Sequence, residues 1–91
     1  LVGLMQAVAA EYGAEGIRAN VLMPGGTLTA ISMDAATNPE TQVFIAGLHA
    51  LKRMAEPSEI ADAALFLLSD VASFVTGSAM LADGGNSICK M

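Results

Sequence analysis

At 91 residues the chain is at most one small domain. Its 54% hydrophobic content against 14% charged residues excludes a disordered segment, and at net charge −5 the four basic residues, Arg18, Lys52, Arg53 and Lys90, form no patch for a phosphate backbone, so no nucleic-acid partner is expected. A small domain this apolar hides its surface poorly, which predicts either oligomerisation or membership in something larger.

The first predicted element is a helix over residues 1–12. Leu1, Val2, Leu4, Met5, Ala7, Val8, Ala9 and Ala10 are apolar almost all the way round, interrupted by Gln6 and Glu11, with Gly13 and Gly16 as the stop. A helix apolar all round is expected to be buried on several sides. No N-cap precedes Leu1, so the helix reads as lacking its start.

Residues 17–23 predict a strand buried on both faces, with Arg18, Asn20 and Leu22 on one and Ile17, Ala19, Val21 and Met23 on the other. A buried Asn20 needs hydrogen-bond partners, which suggests that it holds a neighbouring loop. The run stops at Pro24-Gly25-Gly26-Thr27-Leu28-Thr29. Ligands of open α/β sheets bind just beyond the carboxyl ends of strands. Proline removes a backbone donor there, two glycines permit close approach or positive φ, and Thr27 and Thr29 add hydroxyls. The local motif alone equally describes an ordinary strand-ending turn.

Residues 24–34 read as loop. Asn38-Pro39 breaks the next stretch, and a helix from Pro39 to Ala50 is expected to carry Val43, Phe44, Leu48 and Leu51 inward. Between Ile31 and Met54, the side chains of Met33, Phe44, Leu48 and Met54 suit either a mobile substrate lid or plain packing. His49, the single histidine, has no ligand-type neighbours at metal spacing and is expected at the surface or a lid edge, so no metal site is predicted.

A helix over 58–68 follows, with Pro57 at its first position and Glu59 in the first turn, where the helix dipole favours an acid. Ser69-Asp70 ends it, and residues 74–77 form a turn. Residues 78–82 predict a second short strand closed by Asp83-Gly84-Gly85, which reads as a sheet-ending turn. Cys89 excludes an internal disulfide, and no apolar run reaches membrane-spanning length. The chain opens without a basic leader or a methionine, which suggests a fragment or processed product and a cytoplasmic protein. Ser69, Asp70 and His49 do not make a hydrolase, because G-x-S-x-G is absent.

Two buried strands joined by a long helical crossover pair in parallel. Such a pair needs both faces covered. The fold class is therefore α/β, the last part of a doubly wound parallel sheet in the order helix, strand, helices, strand.

The ordered motifs Glu11-Tyr12-Gly13, Gly16 to Asn20, Pro24-Gly25, Thr27-x-Thr29, Arg53, Pro57 to Ala61, Phe66-Leu67, Ser69-Asp70, Ala72 to Gly77 and Asp83-Gly84-Gly85 together resemble the later part of a short-chain dehydrogenase/reductase. The resemblance covers nearly the whole chain. Ala19 replaces the usual valine of the strand, and Gly26 adds a glycine after Pro24-Gly25. It implies that residues 1–91 are the C-terminal segment of one Rossmann-type domain whose N-terminal dinucleotide-binding half lies elsewhere. It implies an oxidoreductase using NAD or NADP on a carbonyl or alcohol, assembled as a dimer or tetramer.

By the resemblance, Pro24, Gly25, Gly26, Thr27 and Thr29 form the nicotinamide side of the cofactor site, and Met33, Phe44 and Leu48 belong to a substrate lid. The family's Tyr and Lys, four residues apart, are expected before Leu1. Tyr12 has Gly16 at that spacing, so no catalytic residue is assigned and the chain is expected to be inactive alone. The rival reading is a non-catalytic fragment held by packing its apolar helices against copies of itself.

Overall fold

A computed structural model describes residues 1–28 and 38–89. The elements run α1 (Val2–Tyr12), β1 (Val21–Pro24), α2 (Pro39–Gly47), α3 (Pro57–Leu68) and β2 (Ala79–Ala82), with 3₁₀ turns at Gly13–Glu15, Asp70–Ala72 and Asn86–Ile88. The two strands pair in parallel, Val21 opposite Ala79 and Pro24 opposite Ala82. This is the α/β segment expected from the pattern, but β1 is shorter than the apolar run at 17–23 and is not buried on both faces: only Val21 is buried, with Ile17 and Met23 47% and 41% exposed, because the neighbouring layers that would cover it are not among the described residues.

Before Val21 the backbone pairing continues irregularly, Ala19 O accepting the Gly77 N–H at 2.8 Å and Val21 N–H donating to Ser78 O at 2.9 Å, while the Arg18 and Asn20 side chains bond to α3 and the segment after it. The Arg18 guanidinium donates to the carbonyls of Leu67, Val75 and Ser69 at 2.8, 3.1 and 3.2 Å. Two of these belong to the C-terminal end of α3, where carbonyls lack helical partners and a cation is favoured. Asn20 donates through Nδ2 to Val75 O and accepts from the Ser78 N–H and hydroxyl at 3.1 and 2.7 Å. Asn20 thus holds the neighbouring loop, as its position on the strand suggested.

Helix α1 ends at Tyr12, where its glycine pattern places the stop. Gly13 keeps helical angles, and the chain leaves the helical region at Gly16, with φ of 82°. Helix α2 starts on Asn38, whose Oδ1 accepts the Glu40 and Thr41 N–H groups at 3.0 and 3.3 Å. It does not carry Val43, Phe44 and Leu51 inward: they are 72%, 63% and 64% exposed, and Leu48 is half-buried. The residue that goes inward is His49, 2% exposed. Helix α3 starts at Pro57, with Glu59 Oε1 accepting the Glu56 N–H at 3.0 Å.

The buried apolar residues are Ala9, Val21, Met54, Leu67 and Ala72. Only Ala9 of α1 is among them, so the burial expected on several sides of that helix is not supplied by the described residues. The radius of gyration is 15.5 Å, against about 12 Å for a compact chain of this length. Among the described residues α3 packs on β1, and close packing is concentrated beyond the strands' carboxyl termini.

Candidate functional site

Three segments meet beyond the carboxyl ends of β1 and β2. The chain leaving β1 is tied to β2 by Gly25 N–H to Ala82 O, 3.2 Å. It then runs parallel to the segment before α3: Ala55 N–H donates to Gly26 O at 2.8 Å and Leu28 N–H to Ala55 O at 3.0 Å. The turn after β2 is tied to the end of the α2 segment by Leu51 N–H to Gly84 O, 3.0 Å.

His49 sits where these segments converge. Its Nε2 lies 2.9 Å from the Gly26 nitrogen and its Nδ1 2.9 Å from Ile45 O. The glycines around it are needed for close approach. A Cβ on Gly25 would stand 2.8 Å from Asp83 Cα and O and 2.9 Å from His49 Nε2. One on Gly26 would stand 3.0 Å from His49 Cε1 and from Ile45 Cγ2. Neither glycine has positive φ. Both are required because another part of the same chain lies against them. The expectation that His49 is a surface or lid-edge residue is thereby corrected: two glycine-bearing turns, at Gly25-Gly26 and at Gly84, leave a slot that the imidazole fills.

Beside this junction lies a cleft of about 160 Å³ bordered by Gly25, Gly26, His49, Leu51, Arg53, Ala55, Glu59, Ile60, Ala82, Asp83 and Gly84. Its charged rim is internally paired. Arg53 holds Glu59 through two bonds of 2.6 and 2.7 Å. That pairing, with the Glu56 N–H, pulls the Glu59 carboxyl down to about 2. Asp83 accepts from Gly85 N–H and Ser87 N–H at 3.1 and 3.0 Å, and the bonds from Ser87 hold its carboxyl below the usual range. Asp83-Gly84-Gly85 is thus a turn that closes the sheet, with φ of 57° and 85° at its glycines.

The residues expected to face a cofactor are partly placed. Pro24 is exposed at the end of β1, and Gly25, Gly26 and Thr27 are half-buried. The N–H and C=O groups of Gly25 and Gly26 are engaged within the chain: Gly25 O accepts the Thr27 hydroxyl at 3.0 Å, and the other three bonds are those already given. These glycines therefore present shape. In the parallel bridge between Thr27 and Ala55 the bonds run through Gly26 C=O and Leu28 N–H, so the backbone N–H and C=O of Thr27 itself point away from Ala55.

Thr29 and Met33 lie outside the described residues. Phe44 and Leu48 do not border the cleft. A broader hollow of about 400 Å³ is bordered by Leu28, Gln42, Val43, Ala46, Lys52, Arg53, Met54 and Glu56. Sequence reasoning missed His49 and Ala55 as parts of the site. The one signal for them was the unexplained pairing of two adjacent glycines that no turn type required. Among the described residues no cluster of His, Cys, Asp or Glu is able to hold a metal ion, and no helix is long and apolar enough to cross a membrane.

Residues 1–87 match the family model described as enoyl-(acyl carrier protein) reductase. The chain is 46% identical over 86 residues to 2,5-dichloro-2,5-cyclohexadiene-1,4-diol dehydrogenase of Sphingobium indicum, covering 93% of this chain and 34% of that protein. The fold matches 4-hydroxyisoleucine dehydrogenase complexed with NADH, with a TM-score of 0.90 and 31% identity over 98% of this chain and 37% of that one. It also matches a short-chain type dehydrogenase/reductase from Mycobacterium ulcerans, with a TM-score of 0.88 and 37% identity over 98% of this chain and 32% of that one. The chain spans about a third of the length of the relatives it matches.

Proposed function

The chain belongs to the short-chain dehydrogenase/reductase family, and from that premise we propose that the complete protein is an oxidoreductase moving a hydride between NAD or NADP and a carbonyl or alcohol of a small molecule. These residues are the C-terminal segment of its single Rossmann domain. They form the nicotinamide-side wall of the site, and the acid–base pair comes from residues outside the 91. Tyr12 does not serve, since it stands exposed at the end of α1 with Gly16 four residues on.

The observation that carries this reading is the place of the turn from Pro24 to Thr27: it lies just beyond a strand's carboxyl end, beside a cleft, and is fixed by the chain's own bonds. Open α/β sheets take their ligands at that place, which suits a nicotinamide. A bound nicotinamide supplies the hydride chemistry. The chain's share is orientation. Bonds to Ala82, His49 and Ala55 fix the turn before any ligand arrives, so it needs no reorganisation on binding.

Titrating NADH into ¹⁵N-labelled protein that includes the residues upstream of Leu1 tests the reading. The Thr27 amide and those of Gly25 and Leu28 shift on binding. Binding that leaves all three unmoved overturns the proposed wall. The 91 residues alone show no cofactor-dependent turnover, and measurable turnover by them contradicts the assignment of the acid–base pair elsewhere.

One observation favours a second role for the same segment. Leu65, Leu68, Val71 and Phe74 are 65%, 80%, 81% and 101% exposed. Apolar exposure on this scale marks a surface that something covers. We assign it to the contact with a second copy, in a dimer or tetramer. Sizing of the 91 residues separates a pure assembly fragment, which self-associates without NADH binding by the complete protein, from the enzyme segment.

A further inference from the structure

We infer that His49 is a positioning residue, holding the Gly25–Thr27 turn only as the neutral imidazole with its proton on Nδ1, so that the turn loosens when the ring gains a second proton. The argument rests on two backbone partners whose roles admit no choice. The Gly26 N–H can only donate, so Nε2 at 2.9 Å must accept. Ile45 O can only accept, so Nδ1 at 2.9 Å must carry the hydrogen. One tautomer satisfies both bonds. The doubly protonated ring turns Nε2–H against Gly26 N–H.

That conflict cannot be relieved by a small shift. His49 is 2% exposed. The missing Cβ atoms of Gly25 and Gly26 leave room for the ring, since atoms placed there would stand 2.9 and 3.0 Å from it. Among the described residues the titratable groups around the junction are otherwise engaged. Asp83, on the turn after β2, accepts from Gly85 and Ser87. Arg53 and Glu59, from the segment before α3 and α3 itself, are paired. Lys52, on His49's own segment, donates to Gly47 O. The β1 side contributes only glycines at the ring. Among the described residues His49 bonds to no carboxylate, both its ring bonds being to backbone, and the turn is the element that gives way.

The consequence for ligand binding rests on the assignment of this turn to the nicotinamide wall; the state of the ring and of Gly26 does not. The experiment keeps them apart. In ¹⁵N-labelled protein, the imidazole nitrogens report the tautomer and the Gly26 amide reports its bond. At pH about 8 the Nδ1–H tautomer is expected, and at the lower pH at which the imidazole nitrogens themselves report a second proton, Gly26 amide protection against exchange falls at least about tenfold. An Nε2–H tautomer at high pH, or a Gly26 amide indifferent to the histidine's titration, overturns the inference.

His49→Gln places an acceptor without a titrating proton. It keeps Gly26 protected at both pH values, and His49→Leu leaves it unprotected at both. Loss of protection in His49→Gln at high pH with the fold intact also counts against the inference. NADH affinity of the complete protein, followed in parallel, falls with the Gly26 bond in the wild type and stays level in His49→Gln. If affinity ignores the titration while Gly26 follows it, the nicotinamide-wall assignment fails and the histidine's hold on the turn stands.

Discussion

The junction beyond the strands and the outer faces of the helices are built on opposite terms. At the junction Gly25, Gly26, Asp83 and His49 stand so close that one added methyl finds no space, and every Gly25 and Gly26 backbone polar group has a partner within the chain. On α1, on α3 and on the turn after α3, residues as large as Leu4, Leu68 and Phe74 face outward at 61%, 80% and 101% exposure. The first region is finished by this chain alone. The second has apolar surface of a kind that is normally covered. A piece of a parallel sheet can thus hold its ligand end together locally through backbone bonds and glycine contacts, while its helix faces wait for other elements.

Substitutions can break or sharpen this contrast. The largest effect is expected at Gly25→Ala, whose Cβ would meet the Asp83 backbone at 2.8 Å, with no flexible side chain to yield. A loss of about 3 kcal/mol in unfolding free energy, read by urea denaturation, is expected for such overpacking. A neutral result would show that the junction is looser than its geometry.

Next comes Arg18→Met, which keeps the stem's length and deprives the carbonyls of Leu67, Val75 and Ser69 of their donor. A cost of about 2 kcal/mol is expected from bonds to a charged group, with exchange of amides around Val75 rising in hydrogen-exchange measurements.

Smaller is the pH effect at the cleft rim. Glu59 titrates near 2 in the folded protein because Arg53 and the Glu56 N–H hold its charged form, below its ordinary value of 4.5. A lowered folded pKa stabilises above the unfolded value, and the stabilisation is lost as pH falls through 4.5 toward 2. Unfolding free energy measured across that window falls more steeply in the wild type than in Glu59→Gln. Identical slopes would remove the pair from the balance. The effect is modest because both groups stand in solvent, 53% and 42% exposed.

Smallest is Phe74→Ser. It deletes a whole ring, yet stability of the isolated segment is expected to change by less than about 0.5 kcal/mol, because a fully exposed side chain makes little contact to lose. Its larger effect is expected in the complete assembly, where sizing should show weakened association. A large destabilisation of the isolated segment would mean that this face is already packed within it.

Much of this fold is legible residue by residue. Asn38-Pro39 and Glu56-Pro57 open α2 and α3, Ser69 closes α3, and Asp83-Gly84-Gly85 makes the turn after β2, all through bonds within a few residues. Asn20 announces its role because a half-buried amide at the entry to a strand needs hydrogen-bond partners. The inward face of α2 is not legible. Val43, Phe44 and Leu51 are apolar and point outward, while His49 is polar and buried, because at the end of α2 the decisive neighbours are glycines remote in sequence. The same holds for Gly25 and Gly26, which local pattern offers to a ligand and which tertiary contact gives to His49.

By itself, then, the sequence determined the order of elements, their caps, the parallel α/β class and the family, since these follow from local periodicity, capping chemistry and ordered motifs. Only the tertiary structure decided that Arg18 and Asn20 are drawn to α3 and its following turn, and that His49 closes the junction. Those outcomes depend on groups 23 to 58 residues apart arriving at hydrogen-bond distance, and a linear pattern carries no record of such distances.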